Sequence, residues 1–71
     1  MSRYLIVIEE TATGFSAYCP DLEGCVATGR TREEVEQEMG AAIAFHLEGL
    51  KDEGHGVPRP RSSVAYIEVR A

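Results

Sequence analysis

The sequence predicts a single α+β domain of order β-β-β-α-β, an antiparallel meander followed by a crossover helix. Three observations predict it. Up to residue 29, apolar strand-like segments are cut by turns bearing Gly and Pro; a long apolar stripe at 3–4 spacing follows; an alternating segment then comes after two prolines. With 71 residues there is room for one domain, residues 1–71, and no second. A chain this short buries only about 60% of its unfolded surface, so its core is small and association is a common reinforcement.

The first strand is read at residues 4–10, where Tyr4, Leu5, Ile6, Val7 and Ile8 form a continuous apolar run closed by Glu9 and Glu10. Such a run suits a central strand covered on both faces. Thr11 to Gly14 supply turn chemistry. From 15 to 19 the pattern alternates, with Phe15, Ala17 and Cys19 on one face and Ser16 and Tyr18 on the other. Pro20 has no amide hydrogen for a ladder and Gly24 permits a tight return, so 20–24 is a loop. Residues 25–28 form a short third strand ended by Gly29. Short connections join all three, which makes a meander.

The helix begins at Thr31. Thr31 and Glu34 fit a capping box, the hydroxyl accepting from the Glu34 amide while the carboxylate reaches back. Val35, Met39, Ala42, Ile43, His46 and Leu50 make one face, with Leu47 at its margin. Gly40 and Gly49 interrupt it at a cost of about 1 kcal/mol each against alanine, and Gly54 is a natural stop. Pro58 and Pro60 impose an extended connector. Residues 63–70 read as the fourth strand, with Ala65, Ile67 and Val69 on one face and Tyr66, Glu68 and Arg70 on the other. If it runs parallel to the third strand, a right-handed crossover places it beside the first. One helix covers one sheet face. Leu5, Val7 and Tyr18 on the other face, with Phe45 off the helical stripe, predict self-association, most simply as a twofold dimer.

Twelve acidic residues against seven basic ones leave a net charge of −5. That argues against nucleic acid as a direct ligand, since a polyanion needs a basic footprint. It suits solubility or a basic protein partner. The first apolar run is too short for a signal-peptide core, and no run approaches the roughly 20 residues of a membrane span. Two cysteines are too few for a secreted disulfide framework, so the chain reads as cytoplasmic.

No set of residues predicts catalysis, a metal site or a cofactor. His46, within the apolar stripe, reads as structural, and His55 as solvated; their spacing matches no zinc pattern. Cys19 and Cys25 flank the loop nearly opposite each other. They read as two small buried thiols kept reduced, in preference to a disulfide. Glu9, Glu10, Asp21 and Glu23 are dispersed, unlike the acid cluster of a Mg²⁺-dependent nuclease.

A more specific string runs through the hairpin and helix start: Phe15, then Pro20, Asp21, Leu22, Gly24 and Cys25, then Gly29, Thr31, Glu33 and Glu34. It closes on Pro58, Arg59 and Pro60. In this string, over roughly residues 4–60, the chain resembles the HicB family of antitoxins from bacterial and archaeal type II toxin–antitoxin systems. The resemblance implies a partial ribonuclease H-like fold, in agreement with the element order above. It also implies a partner: a small basic HicA toxin, an mRNA-cleaving ribonuclease whose active site the antitoxin covers. Many relatives append a C-terminal operator-binding domain, and this sequence ends at Ala71, so direct DNA binding is not expected of it. The partner contact is expected at the hairpin tip and an unpaired sheet edge, with Leu22 as apolar anchor and Asp21 and Glu23 giving steering and register. Thr31, Glu34, His46, Cys19 and Cys25 are expected to be structural. Two other readings stay open: a solitary homo-oligomeric interaction module, and a residual metal-dependent nuclease.

Overall fold

A computed structural model describes residues 2–71; Met1, the first residue of the expected domain 1–71, lies outside them. Its elements are β1 (Val7–Glu10), β2 (Phe15–Tyr18), β3 (Val26–Gly29) and α1 (Arg32–Asp52). The strands form one antiparallel sheet in the order β1-β2-β3, and Val7, Tyr18 and Val26 share one cross-strand row. The next row, Ile8, Ala17 and Ala27, faces the opposite way, as the two-residue strand period requires. The α+β architecture and meander are as the sequence predicts.

Turn chemistry closes each hairpin. The Thr11 amide donates to the Gly14 carbonyl at 2.9 Å in the first. The second is two consecutive β-turns: the Leu22 amide donates to the Cys19 carbonyl at 3.1 Å, and the Cys25 amide to the Leu22 carbonyl at 3.2 Å. Pro20 occupies the second position of the first turn. Gly24, at φ +77°, occupies the third position of the second, where a type II turn needs positive φ.

The helix is seated by Gly29. A Cβ there would lie 2.7 Å from the Val35 nitrogen, so the first helical turn rests on the end of β3 at a distance only glycine allows. This contact drives Val35 and Met39 into a core with Ala17, Cys19, Leu22 and Cys25. Ile6, Ile8, Ala42, Ile43 and Leu47 are among the half-buried residues packed around it. The Thr31 side chain accepts from the Glu34 amide at 3.0 Å, as the capping signal predicts. The Glu34 carboxylate returns to the Arg30 amide, at 3.4 Å, one residue upstream of the expected partner. At the other end the His55 amide donates to the Leu50 carbonyl and the Gly54 amide to the Lys51 carbonyl, a Schellman stop with Gly54 at φ +79°.

Two strand expectations need correction. β1 starts at Val7, three residues later than read, and it is an edge strand, with α1 packed over β2 and β3. Continuing the register would set Ile6 against Cys19 and Leu5 against Pro20, where the partner chain turns and proline has no amide to donate. The fourth strand is absent as a strand: residues 55–71 carry no assigned secondary structure. Alternation predicts an extended chain, but a strand also needs a ladder partner, and residues 63–70 have none among the described residues.

Candidate partner-binding site

The hairpin tip is tied to the C-terminal segment. The Asp21 carboxylate accepts three hydrogen bonds: on Oδ2 from the amides of Arg61 at 2.9 Å and Ser62 at 3.1 Å, and on Oδ1 from the Ser62 hydroxyl at 2.9 Å. Hydrogen bonds to the charged form favour it, so the Arg61 and Ser62 amides hold the Asp21 carboxyl below its ordinary range. Nearby, the Tyr4 hydroxyl donates to the Pro58 carbonyl. The loop between β2 and β3, the start of the chain and the proline segment therefore form one connected corner.

The three residues expected to meet a partner thus have different surroundings. Leu22 is 1% exposed and is one of the largest fully buried side chains, so in this fold it anchors its own core and presents no apolar knob. Asp21 is engaged with Arg61 and Ser62. Glu23 is exposed. The tip offers one free carboxylate on a loop that its two neighbours hold in shape.

The apolar surface lies elsewhere. On the sheet face away from α1, Val7, Tyr18 and Val26 stand in register, with Tyr18 42% and Val26 66% exposed. Twenty-one helical residues span about 31 Å, while four-residue strands span only about 13 Å. The helix therefore overruns the sheet, and Phe45 projects from it 80% exposed. The expected exposure of Tyr18 and Phe45 is what the structure displays; Val26 escaped the sequence reading because its strand is too short to show which face it presents. The tie from Asp21 to Ser62 also escaped it, since no local pattern links residues 41 apart.

His46 is half-buried in the last third of the helix, beside Phe45, Gly49, Leu50 and Glu53. Cys19 and Cys25 are both buried and free, and burial, with Cys19 nearby, pushes the Cys25 thiol up. Among the described residues no three His, Cys, Asp or Glu side chains are placed to hold a metal ion. No described helix is long and apolar enough to cross a membrane.

Residues 4–70 match the family model described as HicB-like antitoxin of bacterial toxin–antitoxin system. The chain belongs to this HicB-like family. It is 39% identical over 58 residues to a UPF0150 protein of Synechocystis, covering 80% of this chain and 73% of that one. A UPF0150 protein of Helicobacter pylori is 36% identical over 64 residues, covering 89% of each. An uncharacterized 14.9 kDa protein from the rep-hol intergenic region of Haemophilus phage HP1 is 33% identical over 64 residues, 90% of this chain. The chain spans about half, 48%, of that phage protein's length. Among solved structures, a chain of the HicA3 and HicB3 toxin–antitoxin complex superposes with a TM-score of 0.71 at 37% identity, covering 84% of this chain and 70% of that one. The HicB-like fold is thus the one reached above from strands and helix.

Proposed function

We propose that this HicB-like chain is an antitoxin that acts in the cytoplasm by binding a small basic HicA-type toxin and covering its mRNA-cleaving site, with no chemistry of its own. The observation that carries the reading is the family match across residues 4–70, joined to the likeness with a chain of a toxin–antitoxin complex. The surface is consistent with such a partner. Eleven of the twelve acids precede Gly54, against four bases, so the folded body is acidic and would attract a basic protein. Glu23 is the hairpin-tip residue that faces the toxin in this proposal, while Asp21 and Leu22 shape the loop behind it. The chain also associates with itself, through apolar surface that one helix leaves uncovered.

The test is growth rescue. The chain is co-expressed with the neighbouring reading frame of its own genome, where that product is toxic alone. Rescue together with a co-purifying complex supports the proposal, and Glu23→Lys is expected to weaken it. A folded chain that neither rescues nor co-purifies would defeat the antitoxin reading and favour the solitary interaction module.

A further inference from the structure

The C-terminal tail carries the largest group of exposed apolar side chains in the molecule. Val64, Tyr66, Ile67 and Val69 are 68%, 93%, 81% and 77% exposed, on both faces of one extended segment. A segment with apolar side chains on both faces at its start and on one face throughout is suited to pairing in a sheet, not to water. Its root is fixed: Asp21 binds Arg61 and Ser62, and Tyr4 binds the Pro58 carbonyl. Beyond that root, Val64 and Tyr66 flank an open groove of about 300 Å³ against Leu5, Ile6, Val7 and Ile8. That side of the groove is the edge of the sheet, since among the described residues β1 pairs only with β2. An unpaired tail and an unpaired edge thus coexist in one chain.

We propose that residues 63–70 form an exchanged strand: the tail of one chain adds to the β1 edge of a second copy, which returns its own tail to the first. The inference rests on the self-association proposed above and gives it a structural basis. Closed twofold exchange pairs the β1 edge and the tail of both copies at once and leaves no tail over to recruit a third chain. Charge selects the occupant. After Gly54 the tail carries three bases, Arg59, Arg61 and Arg70, against one acid, Glu68, whereas the body up to Gly54 carries eleven acids against four bases. Glu9 and Glu10 lie at the end of β1 itself and are exposed. Residues 63–70 themselves carry Arg70 and Glu68 and no net charge, so they lie on the acidic β1 edge without the repulsion a second acidic segment would meet, and Arg59 and Arg61 at the root add attraction to the acidic body. In this proposal the exchanged strand is a contact between copies.

The experiment uses the full chain without toxin. Sedimentation at tens of micromolar, with hydrogen exchange read at several concentrations, is compared between wild type and Tyr66→Asp/Ile67→Asp. Both positions are exposed in the single chain, so the pair of changes leaves the domain folded, as circular dichroism checks. The expected result is a wild-type mass of two chains, falling twofold in the variant. Amides of 64–70 and of the β1 edge should gain protection as concentration rises, and lose it in the variant. A one-chain wild-type mass overturns the proposal and the self-association beneath it. A two-chain mass retained by the variant overturns the strand exchange alone and moves the interface to the row of Val7, Tyr18 and Val26. Tail protection independent of concentration shows the tail folding back on its own β1, which also overturns the exchange. None of these outcomes bears on growth rescue, which tests the antitoxin reading separately.

Discussion

Asp21 and Leu22 are neighbours with opposite fates, and the difference shows what one residue can do in a domain this small. Leu22 fills the core beneath the hairpin, so Leu22→Ala should cost about 2–5 kcal/mol, the range for truncating a buried leucine. Chemical denaturation measures this directly, and a change under 1 kcal/mol would show that the loop does not need the side chain. Any loss of partner binding in that variant must accordingly be read against its loss of fold. Asp21 acts through its charge. Its folded carboxyl lies below the ordinary value of 3.8, so its contribution to docking the tail root is fully present above that value. It is lost as pH falls through the lowered folded value. The amides of Arg61 and Ser62 should therefore gain exchange freedom in acid before the sheet melts, and Asp21→Ala should show that freedom already at neutral pH. The string Pro20, Asp21, Leu22 is visible in the sequence and correctly marks a turn. Which of its residues faces inward is not visible, because the turn's orientation is decided by Val35, Met39 and Ser62, far along the chain.

At the scale of elements, signals that act within one turn were legible and those needing a distant partner were not. Thr31, Glu34 and Gly54 mark the helix ends from local hydrogen bonding alone, and the helix starts and stops there. The meander follows from two local turns. β1 and the tail were over-read because apolar alternation reports a preference for extended backbone without naming the neighbour that completes a ladder. Glycines sharpen the same contrast. The sequence reads Gly29 as the end of a strand and Gly40 as an interruption of the helix, without showing which is packed: a Cβ on Gly29 meets Val35 backbone at 2.7 Å, while one on Gly40 meets nothing within 4 Å among the described residues. Gly29→Ala should push α1 off β3 and lower the melting temperature. Gly40→Ala, in an open helical position, should stabilise by up to about 1 kcal/mol. A pair of thermal melts decides both, and equal effects of the same sign would mean that the helix is not seated on β3 as described.

The whole molecule is organised by an uneven distribution of charge and cover. The helix and its packed strands make a small core, the acids crowd the body, and apolar surface remains on the far sheet face and the tail. Under the two proposals above, the chain meets two kinds of partner by different physics: its own kind through apolar strands, and a basic protein through its field. The second can be tested without knowing the interface. If the acidic body steers a basic toxin, association should be fast at low salt and slow as screening shortens the reach of the field to roughly 10 Å at 0.1 M and 3 Å at 1 M. We expect the association rate to fall at least about tenfold across that range, with a much smaller change in dissociation. Glu23→Lys should lower the low-salt rate and flatten its salt dependence, because an exposed charge at the tip acts on encounter more than on the bound state. Stopped-flow mixing of the two purified proteins gives both numbers. An association rate indifferent to salt would assign the acidic surface to solubility, and recognition would then have to come from the apolar row of Val7, Tyr18 and Val26.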